Sequence, residues 1–271
     1  MVKNQHLNYV HKLAETIIDS QDYADVRDKL RLVMEYSNIL NFELRYREKL
    51  WRVRKLEGEQ PFNHTSDIWY PSSELSKVGR LNDIGSPYLY LSLTLETALQ
   101  ETKAQVGDCF QVGMYKFDLD KKARLAVVGE KSRALKGIGS SICPTISGLM
   151  KKQYSANKHL AQSSRYADFF FDDIMRDQEA RGKGYLQSRM LAQLILEKHR
   201  DIDGFLYHSV ESEGGQNIAL PATKADKLVR FVGTFVIRIN EVFPYGIYDF
   251  EVIKTSDSVD DKGYLSWSGT L

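Results

Sequence analysis

Residues 79–101 read GRLNDIGSPYLYLSLTLETALQE. The apolar run Tyr88–Ser92 is strand-like, and Thr94 is placed to cap a helix reaching to about Gln105. A strand that turns at once into a short helix carries a cation, an aromatic and a carboxylate at fixed offsets. Arg80 follows a glycine, Tyr90 lies ten residues on, and Glu101 eleven beyond that. Together these side chains suit an anionic, aromatic-headed, sugar-containing ligand such as a dinucleotide.

On the N-terminal side, residues from about 5 to 50 read as helical. Leu7, Val10, Leu13 and Ile17 recur at helical steps, as do Val26, Leu30, Val33 and Tyr36. Ser20-Gln21-Asp22 separates the two runs and can cap the second. The apolar stripes call for a partner surface, either the main domain or a second copy, and packing on the main domain is the expectation. Leu50–Lys55 (LWRVRK) then alternates as a strand, with Arg52 and Arg54 on one face and Val53 on the other. A polar loop spans residues 57–78.

On the C-terminal side, strands are expected over 110–114, 123–128, 203–209, 216–220, 228–238 and 247–253. Residues 129–148, rich in Gly, Ser and Lys, read as a long loop, and 157–199 as mostly helix broken near Gly182 and Gly184. The polar tail from Thr255 reads as loose. Many short strands without regular interleaving by helices predict an α+β fold. The expected division is an N-terminal helical extension over 1–47, a catalytic domain over 48–255 with a helical insert at about 130–184, and a polar tail over 256–271.

Bulk properties exclude several classes. A net charge of +1 from 37 basic and 36 acidic residues gives no field for nucleic acid or anionic membrane, so neither is expected as a partner. Cys109 and Cys143 are too few and too far apart for a zinc site or a disulfide framework. No apolar run reaches membrane-spanning length, and the first residues lack a secretory core, so a cytoplasmic location is expected. The lone Gly137-Ile138-Gly139 lacks the strand–turn–helix setting of a dinucleotide fingerprint. No metal site is expected.

The candidate site residues follow from charge and position. Glu101, held on a helix, can stabilise positive charge developing on a sugar carbon and hold a ribose hydroxyl. Arg80 can bind phosphate, and Tyr90 can stack on or hydrogen-bond to a nicotinamide-like ring. Each has a plainer reading, as a solvated glutamate, a surface arginine and a core aromatic. Arg52 competes with an exposed strand charge, and Ser209 and Asn217 with simple turn chemistry. His208 is expected to be packed or at the surface rather than a catalytic base.

Taken in order, Trp51-Arg52, GRLNDIGSPYLYLS, the ETALQE helix, YLQSRMLAQLI, DGFLYHS and Gly215-Gln216-Asn217 resemble the RES domain family over about residues 48–222. The resemblance implies an α+β fold similar to ADP-ribosyltransferase toxins, with NAD as substrate and no separate cofactor. By position, Arg80 would hold the dinucleotide, Tyr90 would act on the nicotinamide side and Glu101 at the ribose. Arg52, Ser209 and Asn217 would complete the pocket. RES proteins are typically bacterial toxins encoded beside an antitoxin, and small members lack both the N-terminal hairpin and so long an insert.

The implied activity is cleavage of the nicotinamide–ribosyl bond with water or phosphate as acceptor. A protein ADP-ribosyltransferase using the same site, and a non-catalytic nucleotide- or partner-binding module, are the rivals. Because free NAD consumption poisons its host, an inhibitory antitoxin, a regulatory protein or a trigger is expected, and a homo-oligomer is a further expected partner state.

Overall fold

The computed structural model describes residues 5–37, 39–136 and 145–268. Cys143 and the Gly137–Gly139 triplet lie outside them. In chain order the elements are α1 (Gln5–Ile18), α2 (Tyr23–Met34), β1 (Leu40–Leu44), β2 (Leu50–Lys55), β3 (Tyr88–Ser92), α3 (Leu95–Glu101), β4 (Cys109–Phe117) and β5 (Ala123–Val127). There follow α4 (Glu130–Lys136), α5 (Thr145–Ala156), α6 (Lys158–Arg176), α7 (Leu186–Lys198), β6 (Gly204–His208), β7 (Gln216–Pro221), α8 (Ala222–Leu228), β8 (Val229–Phe243), β9 (Ile247–Val259) and β10 (Leu265–Ser268). Helices and a mixture of parallel and antiparallel strands make this an α+β protein.

The chain divides into two units. The first comprises Met1–Phe42, Val78–Ile84 and Arg124–His208. It is mainly helical, with β5 and β6 running parallel, Leu125 opposite Gly204 and Val127 opposite Leu206. The two N-terminal helices form as their spacing predicts. Val10 and Ile17 on α1 and Val26, Leu30 and Val33 on α2 are fully buried, each such side chain gaining roughly 1.5–3 kcal/mol on burial. Their partners lie in the same unit, α1 packing on α6 and α2 on α7. Asp22 caps α2 by accepting from the Asp25 N–H. Gln187 on α7 closes the end of α1 by donating to the carbonyls of Ile17, Ile18 and Ser20.

The second unit comprises Glu43–Lys77, Gly85–Ala123 and Ser209–Leu271. Its strands lie in the order β7-β3-β2-β4-β8-β9-β10, all neighbours antiparallel. Val53 of β2, Phe110 and Val112 of β4, and Ile237 and Ile239 of β8 form a core on which Ala98 and Leu99 of α3 sit. That packing anchors α3 through one face and leaves its last residue, Glu101, exposed. The turn joining β8 and β9 meets α3 as well, since a side chain on Gly246 would overlap the Gln100 amide.

Several elements differ from the sequence expectation. The helical reading to residue 50 fails after Met34, where Leu40–Leu44 is a strand beside β5. The expected loop over 129–148 holds α4 and the start of α5. α4 follows Gly129, whose φ of +79° suits glycine, and the N–H groups of its second and third residues, Lys131 and Ser132, are taken by the buried Asp168. The helix from Thr94 stops at Glu101, because Thr102 Oγ1 turns back to the Leu99 carbonyl at 2.9 Å and Lys103 adopts a φ of +53°. The tail is not loose. β9 continues to Val259 and β10 pairs with it, Leu265 opposite Val259.

Candidate functional site

Glu101 is the hub of a hydrogen-bonded cluster in the second unit. Its position begins with Thr94, whose side chain accepts from the Thr97 N–H at 3.1 Å and so caps α3. From the other end of that helix, Glu101 Oε1 receives the Ser209 hydroxyl at 2.7 Å and the Asn217 amide N–H at 2.6 Å. Hydrogen bonds to an ionised carboxylate are the strong, orienting kind. Ser209 and Asn217 are 2% and 4% exposed, whereas Glu101 is exposed, so a buried pair grips one oxygen of a carboxylate facing solvent.

Pairing of β3 with β7 supplies the Asn217 arm. Ser92 lies opposite Asn217 in the register and donates its hydroxyl to Asn217 Oδ1 at 2.7 Å. A tight turn supplies the serine arm. Ser209 Oγ accepts the Ser212 N–H at 2.9 Å, and Ser209 N–H donates to the Gly215 carbonyl at 2.9 Å. Gly215 has no room for a side chain, because a Cβ would stand 2.7 Å from both Ser212 Oγ and Thr97 Oγ1. Ser92, Thr97 and Ser212 are buried members of this cluster that sequence reasoning did not single out. The one available signal was a run of hydroxyl residues, 92, 94 and 97, closing an apolar strand.

Arg52 and Tyr90 belong to the same unit. Arg52 is half-buried on β2 and donates to the Tyr90 carbonyl at 3.3 Å. Its buried Nε has no hydrogen-bond partner among the described residues. Burial pulls the guanidinium below its ordinary pKa, an effect that Tyr115 partly offsets. A guanidinium stays charged in proteins, so an anion beside it would relieve that cost. Tyr90 is half-buried, its ring 6.2 Å from that of Tyr88.

A family model described as the RES domain matches residues 49–237. The chain belongs to the RES domain family. The matched stretch includes every candidate site residue, and the RES domain begins one residue before β2 and ends within β8. No curated protein matches the chain.

Within the RES domain, the one remaining candidate, Arg80, lies in the first unit. Arg80 donates through Nη1 to the carbonyls of Met175 at 2.8 Å and Asp177 at 3.1 Å, at the end of α6. Its guanidinium also stands 5.2 Å from the Tyr185 ring centroid. That is a favourable place for a cation, where unsatisfied helix carbonyls gather. His208 is packed, as expected, with Nδ1 3.1 Å from Asp172 Oδ1 and both side chains buried. Among the described residues no group of three or more His, Cys, Asp or Glu is arranged to hold a metal ion. Nor, among them, is any helix long and apolar enough to cross a membrane.

Proposed function

We propose that the protein consumes NAD by cleaving the bond between nicotinamide and ribose C1′. The observation that supports this most directly is the grip of Ser209 and Asn217 on one oxygen of the exposed Glu101. Departure of nicotinamide takes the bonding electron pair with it and builds positive charge on the sugar. A preorganised carboxylate lowers that barrier because it need not reorient as the charge develops. Its second oxygen is left to hold a ribose hydroxyl. Water then adds at C1′ and gives up a proton, yielding ADP-ribose. Phosphate adding at the same carbon instead would yield ADP-ribose phosphorylated there.

Arg52, half-buried with its Nε unpartnered among the described residues, fits an anionic part of the dinucleotide. Family resemblance assigns Tyr90 to the nicotinamide side and Arg80 to the dinucleotide. An inhibitory protein or a trigger is proposed to restrain the activity in the host, on the ground that unrestrained NAD loss is lethal.

Incubation of the purified protein with NAD, with and without inorganic phosphate, tests the reading by chromatography of the products. Nicotinamide appearing with ADP-ribose marks hydrolysis, and with a phosphate-dependent second product marks phosphorolysis. NAD that stays intact alone but labels a protein in lysate moves the activity to ADP-ribosyl transfer. Intact NAD under every condition overturns the proposal.

A further inference from the structure

We infer that Ser92 is a positioning residue for Glu101, acting through Asn217. The inference rests on the NAD-cleavage reading for its effect on turnover, but not for its geometry. Glu101 Oε1 has two arms. The serine arm is fixed by backbone, since the Ser212 N–H occupies a lone pair of Ser209 Oγ and turns its proton toward the carboxylate. Among the described residues the amide arm has no such backbone lock, its side chain bonding only Glu101 and Ser92. Asn217 could present either end of its carboxamide, and the two ends have nearly the same shape. With Oδ1 toward Glu101, two oxygens would face each other at a separation that requires a proton.

Ser92 holds the productive orientation. Its hydroxyl, 6% exposed, donates to Oδ1 at 2.7 Å on the side opposite Glu101 and satisfies an amide oxygen that is itself buried. A bond to that oxygen also polarises the amide and strengthens its N–H as a donor to the carboxylate. The pairing of Ser92 with Asn217 across β3 and β7 places the hydroxyl there without further adjustment. Removing it leaves Oδ1 buried without this donor and frees the carboxamide to turn. Glu101 is then held by Ser209 alone and loses its fixed aim.

The test combines Ser92→Ala, Ser92→Thr, Asn217→Ala and the Ser92→Ala/Asn217→Ala double variant, in the full chain. Ser92→Ala is expected to lower kcat about tenfold, the order set by one buried hydrogen bond, with KM for NAD nearly unchanged. Ser92→Thr, which keeps the hydroxyl, restores most of the rate. In the Asn217→Ala background, Ser92→Ala adds nothing, because its route of action is already gone. Should Ser92→Ala not fold, Ser92→Cys makes the same comparison with a weaker donor at similar volume.

The Asn217 side-chain amide resonances give a readout without turnover. They are expected to shift in Ser92→Ala and to keep their wild-type position in Ser92→Thr. Wild-type kcat in Ser92→Ala, multiplicative effects in the double variant, or an unmoved Asn217 amide signal would each overturn the assignment. Wild-type protein that leaves NAD intact while the amide signal still moves in Ser92→Ala would sink the NAD reading and leave the positioning role standing.

Discussion

Asp168 in the helical unit and Glu101 in the sheet unit are both carboxylates gripped by buried donors, yet one is buried and the other exposed. Asp168 is 5% exposed and turns Oδ2 to the N–H groups of Lys131 and Ser132, at the start of α4. Beside it the Lys131 ammonium donates to Ser164. Every partner lies inside, and the result is a joint between two helices. Among the described residues Glu101 is held by one oxygen only, and its residue stays exposed. Buried donors alone therefore do not single out Glu101. What separates the two carboxylates is whether the gripped group still faces solvent.

The sharpest way to break this contrast is Glu101→Gln. Glutamine keeps an acceptor for Ser209 and Asn217 but carries no charge, so NAD turnover should fall about 10²–10³-fold with an unchanged melting temperature. Full activity in that variant would remove Glu101 from the reaction.

Asp168 should instead report through stability. Burial, followed by the nearby Asp172, raises its pKa from an ordinary 3.8 to about 6, against the opposing pull of Lys131 and the two N–H bonds. The folded protein thus holds this proton more tightly than the unfolded chain does. The associated stability is fully present below pH 3.8 and is lost as pH rises through about 6. Its size is on the order of 3 kcal/mol between those limits. Asp168→Asn keeps an acceptor for both N–H groups and should flatten that part of the profile. Urea unfolding from pH 4 to pH 8, wild type against variant, measures the difference, and identical profiles would refute the assignment.

The smallest effect comes from a matched pair of helix caps. Thr94 caps α3 and Asn157 caps α6, each side chain accepting from the backbone N–H three residues on. Replacing either by Ala should cost about 1 kcal/mol, or a few degrees in Tm. Only Thr94→Ala should also lower turnover, since α3 alone carries Glu101. Equal loss of activity in both would mean that general destabilisation, not positioning, controls the rate.

The sequence was most legible where local rules decide. Tyr88–Ser92 forms the predicted strand, Thr94 the predicted cap, and Asp22 a cap in the predicted break. The N-terminal stripes found partners on α6 and α7. Legibility failed where distant partners decide. β9 alternates weakly and is largely exposed, so its length comes from pairing with the fifteen-residue β8. Leu40–Leu44 buries no side chain fully and carries no clear period of its own. The same holds for the site. Glu101, Ser209 and Asn217 were nameable from spacing and resemblance, and the structure joins them by direct hydrogen bonds. Ser92 was not, because its meaning depends on a register with a strand 125 residues away.

The limits of the family match add a different lesson. It stops at residue 237, in the middle of β8, and begins only after α1 and α2. Yet β8 continues to Phe243 in register with β9, and α1 covers α6, which lies inside the match. The stretch that relatives share as a unit of inheritance is thus smaller than the stretch that must fold together. A boundary drawn from ancestry alone would cut through a hairpin and strip a buried helix face bare.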